Sequence, residues 1–367
     1  MIMSYPRNAF IEQARKRNHS MTFIQECLGY ISKLEANGLP VIFDFCHLAR
    51  FLGMDVKELN EFLQNKNFFY AYFTIKKRSG GKRRIMSPYN NLRDCQLMIK
   101  KMILDKMCCQ PMATAFVANK SIFDNAKLHE GAKFIKKFDV KNFFESISLQ
   151  QVLHVFLKAG YAYSVAKTLA RICTTQIESY KLEKLSEKAS DDVALFEELS
   201  GKEAFLVQGA PTSPSLSNLV CYRLDMRLQG VANKYGCTYS RYADDITFSS
   251  NDKQALPKTE VIKNILKSEG FELNVYKTKT LHNGQRMEVT GLLINDKVHV
   301  KSKYKRDIFR HLRFCMKFGG KTHFARVSPG LKYGKEWLHG RILFVNSVEP
   351  KVAKEMMLLF HQIDWMK

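Results

Sequence analysis

The sequence predicts an α+β fold, with an antiparallel sheet packed on helices and helical regions at both ends of the chain. Three observations carry this prediction. Apolar residues have helix-like spacing over residues 1–65, and the region from 301 to 367 also has a helical pattern. Between these regions, strand-like segments occur in FFYAYFTI (68–75), FIKKFDV (134–140) and TYSRYADDITFSS (238–250).

Composition narrows the class of protein. The chain has 367 residues, with 58 Lys and Arg against 35 Asp and Glu, a net charge of +23. A surplus of this size favours a polyanionic partner, because neutralising phosphates releases condensed counterions. No apolar run is long enough to span a bilayer, and the N-terminus has no apolar signal region, so we expect a cytoplasmic protein without membrane contact. The nine cysteines show no metal-ligand spacing.

The elements before the sheet are mostly helical and basic. A helical pattern breaks at Gly53, after which Asp55 has the side chain of an N-cap. The stretch KKRSGGKRRI (76–85) predicts a hairpin with a basic tip, and 91–109 predicts a helix with another basic face.

Residues 176–204 carry eight acidic side chains. We expect this island to be a solvent-facing insertion, or alternatively a docking site for a partner protein.

The chemistry is predicted at two adjacent carboxylates, Asp244 and Asp245, between two strand-like segments. Such a pair is by itself ordinary turn chemistry. However, Asp139 ends another strand, and the loop QGAPTSP (208–214) has the Gly and Pro residues that allow close approach of a nucleotide or base pair. Nucleotide polymerisation needs two divalent cations held by rigid carboxylates. Asp139, Asp244 and Asp245 would supply these carboxylates.

The ordered motifs FDVKNFF, QGAPTSP, YADD, LNVYKTK and VTGLLIN resemble motifs A to E of reverse transcriptases, over residues 76 to about 295. The resemblance implies a right-hand polymerase fold. Its parts would be an N-terminal helical region at 1–65, fingers at 66–134 with part of 150–205, a palm at 135–295 with the 176–204 insertion, and a helical, basic thumb at 296–367. It also implies two Mg²⁺ ions, with Mn²⁺ as an alternative, bound by Asp139, Asp244, Asp245 and the Val140 carbonyl.

The same resemblance implies residues that bind the incoming deoxynucleoside triphosphate (dNTP). Lys76 and Arg83 of the hairpin would hold the triphosphate, and Gln208 would also bind the nucleotide. Phe144, five residues after Asp139, would be the aromatic gate that excludes a ribose 2′-OH. Lys277 would be a candidate proton donor to pyrophosphate. The residues alone also allow an ordinary core phenylalanine and a solvated surface lysine.

Two short motifs resemble those of the retron subgroup of bacterial reverse transcriptases. They are NAKLH (125–129), which matches NAxxH, and the VTG turn at 289–291. We expect RNA contacts from Asn125, His129, Val289, Thr290 and Gly291. The basic stretch 301–341 adds Lys301, Lys303, Lys305, Arg306, Arg310 and Arg313. An Asn and a His four residues apart could instead simply share a helix face.

Retron membership would imply a specific reaction and partners. The enzyme would copy part of its cognate structured noncoding RNA into a branched RNA–DNA product, msDNA, starting from an internal guanosine 2′-OH. Its partners would be that RNA, dNTPs, an effector (toxin) protein in anti-phage defence, and host RNase H for template trimming. The alternatives are another bacterial reverse transcriptase (abortive-infection, diversity-generating or group II intron-like), or a noncatalytic RNA-binding protein with a polymerase fold.

Overall fold

The computed structural model describes residues 5–77, 80–187, 190–328 and 330–367. Arg78 and Ser79, at the tip of the predicted basic hairpin, lie outside the described residues. The chain divides into two compact units, neither of which is continuous in sequence. Unit 1 comprises Met1–Phe116, Val140–Arg227 and Lys263–Leu273, and unit 2 comprises Val117–Asp139, Leu228–Ile262 and Asn274–Lys367.

Helices form most of the described part of the chain, and none of those described is long and apolar enough to cross a membrane. In chain order they are α1 (Arg7–Lys16), α2 (Met21–Ala36), α3 (Phe45–Phe51), α4 (Val56–Asn65), α5 (Asn90–Met102), α6 (Ile122–Lys127), α7 (Leu149–Ala159), α8 (Tyr163–Cys173), α9 (Ser179–Ser186), α10 (Ser190–Glu197), α11 (Ser213–Val220), α12 (Tyr222–Tyr235), α13 (Thr259–Ser268), α14 (Ser302–Phe318), α15 (Gly320–Val327), α16 (Gly334–Asn346) and α17 (Pro350–His361).

The predicted helix start at Asp55 is confirmed. Its carboxylate accepts a hydrogen bond from the Glu58 backbone N–H at 2.8 Å, and the Glu58 side chain accepts from the Asp55 N–H at 3.4 Å. This reciprocal pair is a capping box, which satisfies two backbone donors that the helix itself cannot pair. Gly53, with φ of 76°, takes the left-handed conformation that separates α3 from α4.

The described strands form one sheet and two hairpins. They are β1 (Tyr70–Lys76), β2 (Lys82–Pro88), β3 (Phe134–Asp139), β4 (Thr238–Tyr242), β5 (Asp245–Ser250), β6 (Lys279–His282), β7 (Glu288–Val289) and β8 (Leu292–Leu293). Strands β4, β5, β3 and β6, in that order, make an antiparallel sheet in unit 2. The mixture of helices and antiparallel sheet confirms the predicted α+β class.

The apolar core of unit 2 extends among its C-terminal helices. Helix α14 buries Ile308, Leu312 and Cys315, whose spacing places them on one face of the helix. Their cluster includes Leu338 and Ile342 of α16 and extends to buried residues of α17. One face of α14 is therefore committed to packing, which leaves its polar face toward solvent.

Part of the acidic segment 176–204 packs on the β1–β2 hairpin, so the predicted insertion faces solvent on one side only. Five of its acidic side chains are exposed: Glu183, Glu187, Glu197, Glu198 and Glu203. Asp192 forms an ion pair with Lys82 and accepts a hydrogen bond from the Thr74 hydroxyl at 2.7 Å. The Phe196 ring is fully buried and stacks on Tyr72, with ring centroids 5.2 Å apart. Acidic composition alone suggested exposure, but apolar residues between the acids bury one side of the segment.

Replacing Phe196 with alanine should lower the free energy of unfolding by about 3–5 kcal/mol, because it removes a buried aromatic ring and leaves a cavity. Urea unfolding of the purified protein measures this change. Tyr163→Ala, which removes a ring that is 60% exposed on α8, is the matched control and should change stability little. Equal stability of Phe196→Ala and the control would contradict a structural role for the acidic segment.

Candidate active site

The predicted carboxylate pair lies at the turn of the β4–β5 hairpin in unit 2. Tyr242 and Asp245 face each other in the register of the two strands. Ala243 starts the turn with φ of 56°, a left-handed conformation that is uncommon for residues other than glycine. The Arg241 guanidinium donates a hydrogen bond to the Ala243 carbonyl at 3.2 Å. The turn that carries Asp244 is therefore held in a strained conformation by its surroundings.

Asp139 lies on the strand next to this turn. It ends β3 and is the register partner of Asp245 on β5. Its carboxylate accepts hydrogen bonds from the Lys277 ammonium at 3.0 and 2.9 Å and from the Asn274 side-chain amide at 3.1 Å. The Asn274 backbone N–H also donates to the Asp139 carbonyl at 2.8 Å. The sheet thus pairs Asp139 with Asp245, and the segment 274–277 is fastened to Asp139.

Electrostatics at the three carboxylates favour a cation. Burial, followed by the negative charges of Asp245 and Asp139, raises the pKa of Asp244 to about 6. Burial also raises the pKa of Asp245, an effect that the Lys137 ammonium, 4.0 Å from its carboxylate, opposes. A positive charge among these groups would relieve both the repulsion and the cost of burial.

The donor atoms fit a hard divalent cation such as Mg²⁺, which prefers carboxylate oxygens. Among the described residues, no three His, Cys, Asp or Glu side chains stand together as a ready ligand set. The Lys277 ammonium instead engages both carboxylate oxygens of Asp139. The carboxylates are therefore adjacent on the sheet, with a lysine in contact with one of them.

The predicted nucleotide-binding residues other than Lys277 lie in unit 1. On the β1–β2 hairpin, Lys76 is the register partner of Lys82, whereas Arg83 faces Ile75. Side chains alternate between the two faces of such a ribbon, so Lys76 and Arg83 leave it on opposite faces. The structure does not bring these two predicted triphosphate contacts to one face.

The face of the hairpin that carries Arg83 meets the predicted Gln208 loop. The Met86 N–H donates to the Gln208 carbonyl at 2.9 Å. Gly209 has φ of 115°, and a Cβ on it would lie 2.9 Å from the Ile85 side chain and 3.1 Å from the Met86 carbonyl oxygen. Only glycine allows this approach. Gly209 was not among the predicted contacts, although the Gly-containing loop signalled it.

Arg84 is a structural residue that the sequence did not distinguish from its basic neighbours. Only 11% of its side chain is exposed, and its guanidinium lies 3.6 Å from the Glu145 carboxylate. It donates to the Asn142 side-chain oxygen at 2.9 Å. Asn142 has a left-handed φ of 47°. Arg84 therefore orders the segment that leads into Phe144.

Phe144 and Val140 lie in this part of unit 1. Phe143 is buried, whereas Phe144 is half-buried, so Phe144 is not an ordinary core residue. The two rings make an edge-on contact with centroids 5.4 Å apart, and the centroid of the Phe116 ring lies 6.4 Å from that of Phe144. Val140 is buried and pairs with Leu273 in an isolated antiparallel bridge.

Comparison with known proteins identifies the family. A family model described as reverse transcriptase (RNA-dependent DNA polymerase) matches residues 75–303. The retron Mx65 reverse transcriptase of Myxococcus xanthus is 32% identical over 356 residues, which cover 95% of this chain and 78% of that protein. This chain belongs to the retron reverse transcriptases. The retron Ec86 reverse transcriptase of Escherichia coli is 30% identical, with 90% of this chain and 93% of that protein covered.

Membership of the family makes the chain an RNA-directed DNA polymerase and confirms the predicted retron type and right-hand polymerase fold. The retron Mx162 reverse transcriptase of M. xanthus is also 30% identical, with 90% of this chain and 69% of that protein covered. Among solved structures, a telomerase from Candida albicans is similar with a TM-score of 0.42 and 14% identity, over 80% of this chain and 56% of that chain. That score is too low for a residue-by-residue comparison.

Two predicted RNA contacts of this reverse transcriptase, Asn125 and His129, are buried instead. Each is 1% exposed. The two ring nitrogens of His129 lie 2.7 Å from the hydroxyls of Ser249 on β5 and Ser240 on β4, so the side chain ties neighbouring strands together. This burial argues against direct RNA contact by either residue, because only 1% of each is open to solvent.

The VTG turn of the reverse transcriptase is also part of the core of unit 2. Val289 is fully buried in the same apolar cluster as Ala126 of α6. The Thr290 hydroxyl donates to the Ile122 carbonyl at 2.9 Å. Gly291, with φ of 87°, is exposed. Burial therefore argues against RNA contact by Val289, and residues of both short motifs contribute to one apolar core.

His129→Asn should weaken the acid sensitivity of the fold. Burial lowers the pKa of His129 to about 4. Histidine in an unfolded chain has a pKa of about 6.5, so the unfolded state binds the proton first as pH falls. The free energy of unfolding therefore decreases between about pH 6.5 and pH 4. We expect this loss to shrink by about 2–3 kcal/mol in the variant, measured by urea unfolding across that pH range.

His154→Asn is the control, because His154 is exposed on α7. This variant should keep the pH dependence of the wild type. If His129→Asn also kept it unchanged, a buried neutral His129 would be ruled out.

Helix α14 carries a basic stripe along its exposed face. The stripe consists of Lys303, Arg306, Arg310, Arg313 and Lys317, all exposed and spaced three or four residues apart. Arg310 also pairs with Asp307. Lys301 and Lys305 instead form ion pairs at 2.7 Å with Glu288 and Glu349. The structure thus places four of the six basic residues predicted to bind RNA on the stripe, whereas Lys301 and Lys305 lie off the stripe in ion pairs.

Proposed function

We propose that this reverse transcriptase copies part of its cognate structured noncoding RNA into msDNA, starting from the 2′-OH of an internal guanosine. The observation that carries the proposal is the register pairing of Asp139 with Asp245 across β3 and β5. Facing carboxylates on rigid strands, with Asp244 at the adjoining turn, suit a two-metal nucleotidyl transfer. DNA synthesis from RNA follows from the family, whereas the RNA partner and the 2′-OH start are the proposed part.

In each step, the oxygen of the attacking hydroxyl bonds to the α-phosphorus of a dNTP, and the bond from that phosphorus to pyrophosphate breaks. Two bound Mg²⁺ ions, or Mn²⁺ in their place, would activate the hydroxyl and stabilise the leaving group. Asp139, Asp244, Asp245 and the Val140 carbonyl would hold them. Lys277 would then leave Asp139 and donate a proton to pyrophosphate, while the hydroxyl proton passes to water.

The residues of unit 1 would bind the dNTP. Arg83 shares a hairpin face with Ile85, whose side chain approaches Gly209 of the Gln208 loop. This placement supports a bidentate grip on the triphosphate, to which Lys76 would add a point charge. Phe144 keeps part of its ring exposed, so it would fill the space that a ribose 2′-oxygen needs.

The basic stripe of α14 would bind the folded RNA. Structured RNA is recognised largely through shape, phosphate and 2′-OH contacts, which a row of Lys and Arg side chains provides. The exposed Gly291 of the VTG turn would allow close approach of the RNA backbone. Partner proteins complete the proposal: host RNase H would trim the template, and an effector protein would act with the msDNA complex in anti-phage defence.

The test is to express the chain together with its upstream flanking DNA and to sequence the nucleic acids that copurify. We expect one structured noncoding RNA, joined through a guanosine 2′-oxygen to the 5′ end of a single-stranded DNA. A linear DNA with no RNA branch would contradict priming from a 2′-OH. Copurification of a mixture of unrelated cellular RNAs would contradict recognition of one cognate RNA.

A further inference from the structure

Phe116 combines an exposed ring with a firmly held backbone. Its ring is 49% exposed, yet Ala115, the preceding residue, is fully buried. The Asn218 side-chain amide, itself buried, donates to the Ala115 carbonyl at 2.7 Å. The segment is therefore anchored directly before the point where the large aromatic side chain reaches solvent.

The backbone of Phe116 is strained. Its φ is 59°, in the left-handed region that bulky side chains seldom adopt. Single exposed apolar residues are common on protein surfaces and need no explanation. An exposed aromatic ring on a strained, anchored backbone is different, because such strain persists only where the surroundings enforce it and it clusters at functional sites.

The Phe116 ring faces the proposed gate residue. Its centroid lies 6.4 Å from that of Phe144, and the ring planes are inclined by 48°. Phe144 also contacts Phe143, which stacks on Phe271 at 5.8 Å. Phe144 therefore has two aromatic neighbours, of which Phe143 is buried and Phe116 is exposed.

A steric gate works only if its ring stays in place when a ribose 2′-OH presses against it. The contact with the buried ring of Phe143 restrains Phe144. Phe116 supplies the only other aromatic contact that the described residues make with Phe144. Loss of the Phe116 ring would let Phe144 turn toward the space that Phe116 occupied.

We propose that Phe116 is a positioning residue for sugar specificity, which holds Phe144 in place against the sugar of the incoming nucleotide. This inference rests on the proposed function, because it assumes that Phe144 is the gate. The ligand concerned is the deoxyribose of a dNTP, and the excluded ligand is the ribose of a ribonucleoside triphosphate.

The experiment measures kcat/KM for a dNTP and for the matching ribonucleotide on a primed RNA template, with the full-length protein. Phe116→Gly removes the ring and also relieves the strained backbone, because glycine adopts positive φ without cost. We expect this variant to lower the ratio of the two kcat/KM values about 3- to 10-fold, as loss of one aromatic pair implies. Phe116→Tyr, which keeps the ring, should retain the wild-type ratio.

Two further variants separate this inference from the gate itself. Phe144→Ala should lower the ratio by about 10- to 100-fold, and adding Phe116→Gly to it should lower the ratio no further, because Phe116 acts through Phe144. Phe23→Ala, at an exposed phenylalanine on α2 (41% exposed), is the control and should leave the ratio unchanged.

The outcomes of these measurements distinguish the role of Phe116 from that of Phe144. An unchanged ratio in Phe116→Gly, with a lowered ratio in Phe144→Ala, would overturn the role of Phe116 and leave the gate standing. Equal losses for dNTP and ribonucleotide in Phe116→Gly would also overturn it, since they would indicate a merely structural role. An unchanged ratio in both variants would overturn the gate, and the inference with it.

Discussion

Replacing Asp244 and Asp245 together with asparagine should lower DNA synthesis by about 10⁴-fold or more, equivalent to about 5.5 kcal/mol of activation free energy. The physical reason is that amide oxygens carry no charge and cannot replace carboxylates around two divalent cations. RNA binding should survive, because the basic stripe of α14 is untouched. Primer extension measures the first quantity, and filter binding of the copurified RNA measures the second.

Although loss of these carboxylates should abolish activity, loss of Asp244 should raise the stability of the metal-free protein. The raised pKa of Asp244 means that its ionised form destabilises the metal-free fold above about pH 6. Asp244→Asn removes that charge. We therefore expect the free energy of unfolding of the metal-free variant to be about 1–2 kcal/mol higher than that of the wild type at neutral pH. Adding Mg²⁺ should stabilise the wild type and leave the variant unchanged.

Asp94→Asn is the control for both measurements, because Asp94 is an exposed residue of α5. It should keep wild-type activity and wild-type stabilisation by Mg²⁺. Normal DNA product from the Asp244→Asn, Asp245→Asn double variant would refute the assignment of the metal carboxylates.

Neutralising the basic stripe should weaken binding of folded RNA by on the order of 100-fold at moderate salt. The variant replaces four residues with glutamine: Lys303, Arg306, Arg310 and Arg313. Four lost phosphate contacts should also reduce the slope of log affinity against log salt concentration by about 3. The loss should be similar for cognate and unrelated RNA, because phosphate contacts carry no sequence information. Titration of labelled RNA at several salt concentrations measures both quantities.

The matched control replaces Lys301 and Lys305 with glutamine. Both lie near the start of α14, but their charges are engaged by Glu288 and Glu349. This variant should keep the salt slope of the wild type while losing some stability. If the control lowered the slope as much as the stripe variant, net charge and not the position of the stripe would determine RNA binding.

The carboxylate hairpin was predictable because its signal is local. Strand-like alternation on both sides of Asp244 and Asp245 requires a turn between them, and the turn is present. That Asp139 is the register partner of Asp245 could not be read from spacing alone. Register depends on how β3 and β5 pack, and these strands are separated by a long stretch of chain.

The acidic segment and the basic hairpin show where composition misleads. Acidic residues indicated exposure, but Asp192 finds Lys82 as a partner, and Phe196 carries the packing. Likewise Arg83 and Arg84 are adjacent in sequence, and alternation along β2 sends one to each face. Which arginine is buried depends on Asn142 and the segment around it, which composition cannot reveal.

The burial of the two short retron motifs bears on how genetic data should be read. His129 joins β4 to β5, and Thr290 links the VTG turn to α6. A mutational screen would score both motifs as essential even if no ligand touched them, because their loss would disrupt folding of unit 2. Protein abundance, measured beside activity in such a screen, would distinguish an unfolded enzyme from one that has lost its RNA.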